Sequence, residues 1–425
     1  MIISLLVVDF FQSDFSAANE CFYIMEIDIN SLETYNNLAR DGAESAADAL
    51  TQMTGVETRV EVTNITLVPI KDLEYEFVGG KYSCVQIGLK GDLNGETVLV
   101  FDDHGREVIT ETLVPNGSGE MQESSIKEIG NIMTSGFIDG WANHINGMVD
   151  ISTPTYIEGD GDDILPESVL NTDQVFVFRS RVEAVNESID FRIFFVPERE
   201  TFINALEESD TISDTVSLEK LQVFNDMTKE GAKQAAQNIS SMSGIDCDVK
   251  VNRMNFVQIE DVPSEVGDRQ YIGTVVRFKG RPSGYLAILF DQPSANAVVD
   301  GLIPMERDGG FGDMERSAMK ELGNIMTSGF IDGWANVLQT SIEHSPPNFV
   351  ADMGSAIMEQ VSAKIAENQN NAFMLDSSIK TDGDSVFRCE LLAIPEEDEL
   401  KQALDELLIE RSSELEADPE SLFID

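Results

Sequence analysis

With 425 residues, 42% of them hydrophobic and 8% aromatic, the chain can build two or more domains, each with a core of its own, and this excludes a disordered polymer despite the heavy charge. Its 77 Asp and Glu against 28 Lys and Arg give a net charge of −49, which repels phosphate backbones and anionic lipid and excludes nucleic acid and membrane surfaces as partners. So acidic a surface is expected of a halophilic protein from a salt-rich cytoplasm, where the Debye length falls to about 3 Å near 1 M salt and self-repulsion is quenched.

Residues 1–24 open with MIISLLVVDFF, an apolar run too short to span a membrane and without a basic leader. They are read as an N-terminal extension that need not be native and that stands outside the fold. From Leu32, LETYNNLARDGAESAADALTQMTG has the periodicity of a small-residue helix. An alternating strand follows (ETRVEVTNITLV), then a hairpin-like pair (YSCVQIGLKG and GETVLVFDD), then a longer helix ending near Asn143. Two further alternating strands, VFVFRSRVEAV and SIDFRIFFVP, close this first unit, assigned to 25–206.

Residues 207–217, EESDTISDTVS, are polar and without apolar periodicity and are expected to form a linker. The same order then repeats over 218–416, beginning with LQVFNDMTKEGAKQAAQNISSMSG and continuing through CDVKVNRMNFVQI to the final pair AFMLDSSIK and SVFRCELLAIP. Residues 417–425 are a tail. Adjacent antiparallel strand pairs beside helices predict an α+β fold, not a doubly wound parallel sheet.

The repeat is sharpest on the longer helix, where sixteen positions from Glu128 and from Glu321 differ only at Ile129 against Leu322. At 100° per residue, Ser124, Glu128, Asn131 and Ser135 form one stripe, and Ile126, Ile129, Met133 and Phe137 the opposite one. Unit two repeats both stripes, with Ser317, Glu321, Asn324 and Ser328 against Met319, Leu322, Met326 and Phe330. Glu and Asn three apart would suit an ordinary solvated face. However, Asn costs about 0.5 kcal/mol in a helix interior, and the block is nearly unchanged between units while its flanks have drifted. Three recurring glycines on each helix, at about 1 kcal/mol apiece relative to Ala, imply close packing.

The four cysteines are scattered singly, and the three histidines show no ligand spacing, so neither a disulfide framework nor a resident metal is expected.

The spacing resembles the signature of the CheC, CheX and FliY phosphatases: Asp or Ser, three residues, Glu, two residues, Asn, twenty-two residues, Pro. Unit one supplies Ser124, Glu128, Asn131 and Pro154, and unit two Ser317, Glu321, Asn324 and Pro347. The resemblance implies pseudo-twofold units with antiparallel strands and two long exposed helices. It also implies a cytoplasmic chemotaxis enzyme that hydrolyses the aspartyl phosphate of a CheY-like response regulator, with any Mg²⁺ supplied by that substrate and no cofactor of its own.

In this reading Asn131 and Asn324 position the attacking water, and Glu128 and Glu321 dock a receiver lysine. Ser124 and Ser317 serve as helix caps or partner contacts, and Pro154 and Pro347 are structural. Family members can carry a second Glu and Asn pair on the first helix, but here those positions hold Asn37 and Arg40 in unit one and Asp226 and Lys229 in unit two. These are degenerate sites, so one working site per unit is expected. A non-enzymatic adaptor that binds CheD or a flagellar or archaellar switch component is the alternative.

Overall fold

The computed structural model describes residues 26–69, 81–160, 164, 174–184, 190–198, 201, 215–303, 310–338, 340–381 and 387–407. The expected N-terminal extension and tail, and 207–214 of the expected linker, lie outside the described residues.

In unit one, β1 (Glu26–Asp28) leads into α1 (Ile29–Thr54), followed by β2 (Thr58–Pro69), β3 (Lys81–Gly91) and β4 (Gly95–Asp102). Then come α2 (Asp103–Leu113), α3 (Gly119–His144), β5 (Val149–Ile151), β6 (Thr155–Asp160), β7 (Gln174–Ala184) and β8 (Asp190–Pro197). Unit two opens with β9 (Thr215–Ser217) and α4 (Leu218–Ser243) and continues through β10 (Asp248–Gln258), α5 (Val262–Val266), β11 (Gln270–Lys279), β12 (Gly284–Asp291), α6 (Gln292–Leu302) and α7 (Asp313–Leu338). It ends with β13 (Glu343–His344), β14 (Asn348–Met353), α8 (Gly354–Ile365), β15 (Asn371–Lys380), β16 (Arg388–Pro395) and α9 (Glu397–Glu406). The fold is α+β, with every described strand pair antiparallel.

The strands that sequence alternation predicts are present, with three short strands added per unit, β1, β5 and β6 in the first and β9, β13 and β14 in the second. The two units also meet in a way the repeat does not reveal. They do not have separate sheets, because β10 pairs with β2 and joins them into one 14-stranded sheet, ordered β13-β11-β12-β16-β15-β10-β2-β7-β8-β4-β3-β5, with β14 on β11 and β6 on β3. A pseudo-twofold axis passes through the joint, where Met254 faces Leu67, Asn255 faces Thr66 and Phe256 faces Ile65. The same axis relates β1 to β9, which pair antiparallel around Ile27 and Val216, so the last three residues of the expected linker are strand.

One face of the sheet is covered by the long helices. The apolar stripes of α3 and α7 are buried there with α1, α4 and the inward residues of both units, in a single continuous core. Small residues allow the helices to cross closely: a Cβ on Gly42 of α1 would lie 2.6 Å from the Phe137 carbonyl oxygen, and one on Gly231 of α4 would lie 2.7 Å from that of Phe330. The other face of unit two is covered by α8, whose Ile357, Met358, Val361 and Ile365 pack on Val257, Ala287 and Leu392.

Polar contacts fasten the joint. Thr66 Oγ1 donates to Asn255 Oδ1 at 2.8 Å, both side chains being buried. Arg179 of β7 pairs with Glu265 of α5 at 2.9 Å, with Glu265 only 3% exposed, and Arg181 donates to the Ser264 carbonyl at 2.8 Å.

Candidate functional site on the repeated helix

Each candidate site is a strip on a long helix held by its apolar back. Ile126, Ile129, Met133 and Phe137 are at most 1% exposed, and so are Met319, Leu322, Met326 and Phe330. This leaves Ser124, Glu128, Ser317 and Glu321 exposed, and Asn131 and Asn324 half-buried.

Gly130 and Gly323 set the height of the helix on the sheet. A Cβ at Gly130 would fall 2.4 Å from Val85 Cγ1 of β3, and one at Gly323 would fall 2.4 Å from Thr274 Oγ1 of β11. Each lies next to the candidate Asn, so the closest helix–sheet contact fixes the backbone that carries the carboxamide. The later glycines of α3 are less confined, since a Cβ on Gly136 or Gly140 would find its nearest neighbour at 3.5 or 4.0 Å, whereas on α7 a Cβ on Gly329 would lie 2.9 Å from Asn238 Nδ2.

Glu128 and Asn131, three apart on one face, have Cβ atoms about 5–6 Å apart. Among the described residues no side-chain hydrogen bond or ion pair occupies Glu128, Asn131, Glu321 or Asn324. Below each Asn, a serine back-bonds to its carbonyl: Ser135 to Asn131 at 2.8 Å and Ser328 to Asn324 at 3.0 Å. The carboxamides and carboxylates thus present unused acceptors and donors to solvent.

Ser124 and Ser317 lie inside their helices, beyond the first turn, which removes the capping alternative. The N-cap of α3 is Ser118. Pro154 and Pro347 stand one residue before β6 and β14. The sequence reading passed over Met121 and Met314, which extend the strip at its N-terminal end and are each 55% exposed. The signal was available, since each lies three residues before the motif serine on the same helical face.

The first-helix positions are engaged in structural contacts. Arg40 grips Asp261 with both guanidinium nitrogens, at 2.7 and 3.2 Å, and Asn37 Oδ1 accepts from Gln258 Nε2. Both partners belong to unit two, so these residues tie the units together. Burial pushes the Asp261 carboxyl up to about 6, with Glu260 and Glu265 adding to the rise and Arg40 opposing it. Asp226 and Lys229 on α4 are partnered too.

Among the described residues, no cluster of three or more His, Cys, Asp or Glu could hold a metal ion, and no helix is long and apolar enough to cross a membrane.

The CheC-like family model matches residues 121–158 and 314–351, which contain both strips and the two prolines. A Halobacterium salinarum protein named "Putative CheY-P phosphatase CheC1" is 36% identical over 188 residues, covering 42% of this chain and 96% of that protein. The chain belongs to the CheC-like family.

One CheC-like protein of that length accounts for less than half of this chain, as a tandem arrangement requires. Among solved structures, FliY from Thermotoga maritima is 18% identical over 42% of this chain and 95% of its own, with a TM-score of 0.37. CheX from Vibrio vulnificus is 21% identical over 38% and 99%, with a TM-score of 0.30. At those scores the structural likenesses add nothing to the family assignment.

Proposed function

We propose that this CheC-like chain hydrolyses the aspartyl phosphate of a CheY-like response regulator, using one site on α3 and one on α7. The observation that carries the reading is the duplicated, unpartnered Glu and Asn pair on a rigidly seated helix face. The name of the Halobacterium salinarum relative supports the substrate class.

Hydrolysis of an acyl phosphate needs a water in line with the departing carboxylate, and the transition state demands placement more than covalent chemistry. The carboxamides of Asn131 and Asn324 can accept from and donate to such a water without removing its proton irreversibly. Glu128 and Glu321, one turn earlier, would pair with a lysine on the receiver, gaining strength as the contact excludes water. Met121 and Met314 offer adaptable apolar contact at the end of the strip. Mg²⁺, in this reading, arrives with the receiver.

The helices sit over β3 and β11, nine strand positions apart. At ~4.8 Å per strand that places the sites about 40 Å from each other along the sheet. Each would therefore work on its own receiver.

The test follows phosphate release from a phosphorylated CheY-like receiver with wild type, Asn131→Ala, Asn324→Ala and the double variant. Each single variant is expected to lose one site's share, and the double variant to fall by about 10²-fold. A double variant as fast as wild type would refute the proposal.

A further inference from the structure

The two sites are near-copies, which makes their differences informative. Along α3, Glu123 forms an ion pair with Lys127 at 2.6 Å, so that flank is locally neutral. At the equivalent place on α7 the chain has Arg316, and the equivalent lysine is Lys320. The anion has become a second cation.

Arg316 is exposed and held in place. Its Nε donates to the Phe311 carbonyl at 2.9 Å, and its guanidinium carbon lies 5.2 Å from the centre of the Phe349 ring. Such a cation–π contact leaves the outer guanidinium nitrogens available to a partner. Unit one has Tyr156 in place of Phe349, and its hydroxyl is engaged with Ser83 at 3.0 Å.

A second difference lies at the other end of the strip. His344 Nε2 is 3.1 Å from Ser328 Oγ, the serine that back-bonds to Asn324, and its Nδ1 is 3.1 Å from the Ser345 carbonyl oxygen. Unit one has Ile151 there, and Ser135 bonds only within its helix. The α7 strip is therefore bordered by two cations, Arg316 and Lys320, in a chain of net charge −49, with Glu315 beside them where unit one has Gln122.

We propose, resting on the phosphatase reading, that the α7 site is specialised for a receiver domain with an acidic contact face, and that the α3 site is not. A surface that presents a phosphoryl dianion on a carboxylate is already anionic, and additional acidic residues at its rim would meet Arg316 directly. In concentrated salt, where the Debye length is about 3 Å, long-range attraction is screened and only a contact of this kind discriminates. The preference therefore survives at high KCl.

The experiment uses two single-site chains, Asn131→Ala with only the α7 site and Asn324→Ala with only the α3 site. Phosphate release is measured in 2 M KCl with a CheY-like receiver phosphorylated by acetyl phosphate, and with a version of it whose acidic rim residues are changed to amides. Adding Arg316→Glu to the α7-only chain is expected to raise KM about 5- to 10-fold with kcat unchanged, and Arg316→Lys to restore most of the loss. Neutralising the rim should raise KM for the α7-only chain and leave the α3-only chain within about twofold.

An unchanged KM for Arg316→Glu, equal sensitivity of both chains to the rim, or an α7-only chain without activity each overturns the inference. The phosphatase reading fails separately, if the Asn131→Ala, Asn324→Ala double variant keeps the wild-type rate.

Discussion

Gly130 and Gly323 bring the helix so close to the sheet that a methyl group has nowhere to go. Gly130→Ala would drive a carbon against the Val85 side chain. Overpacking of that kind costs about 1–3 kcal/mol, more than the ~1 kcal/mol that Ala gains over Gly in a helix. We therefore expect Gly130→Ala to lower the denaturation midpoint and to reduce activity by displacing Asn131, whereas Gly140→Ala should be neutral or stabilising. Equilibrium denaturation of the two variants separates these outcomes. The glycines stood out in the sequence as a cost needing repayment by packing, but not which of them pack closely, because that depends on the residue opposite on β3 or β11. The Glu and Asn strip was legible because an amphipathic helix sorts its residues by angle alone.

At the scale of elements, the contacts between units are where charge and burial compete. Arg179→Ala would leave Glu265 buried without its cation, a loss of about 3–5 kcal/mol, measurable as a lower midpoint in urea. Asp261 behaves differently. Its folded value of about 6 lies above the ordinary 3.8, so the folded chain holds that proton more tightly than the unfolded chain does. The stability this gives is fully present below about pH 4 and is lost as pH rises through 6. Relative to Asp261→Asn, wild type should therefore gain thermal stability as pH falls from 7 to 4, and a difference in Tm independent of pH would contradict this. The ties made by Arg40 and Asn37 could not be read from sequence, where those positions showed only a departure from the family motif. The short helices α2 and α6 were overlooked although their caps are encoded: Asp102 accepts from Gly105 N at 2.6 Å and Asp291 from Ser294 N at 2.9 Å.

For the whole molecule, a net charge of −49 makes the compact state repel itself, and salt relieves the repulsion. We expect Tm to rise between 0.1 and 2 M KCl, with the largest gain at the low end. A flat or falling curve by calorimetry would exclude it. The tandem organisation was plain from the repeat, yet the merging of both units into one sheet was not. Strand alternation shows which face a residue takes but is silent about which edge remains open, and β2 and β10 read like any other half-buried strands. Their pairing depends on the matched register of Ile65, Thr66 and Leu67 with Phe256, Asn255 and Met254.

The joint between β2 and β10 has the geometry of a symmetric dimer interface built within a single polypeptide. In a homodimer any substitution appears in both copies at once, and its benefit on one side is tied to its effect on the other. Covalent fusion removes that constraint while the shared sheet preserves the symmetry of the frame. Arg316 could replace the counterpart of Glu123, and His344 the counterpart of Ile151, on one side alone, so the two halves became free to acquire separate clients.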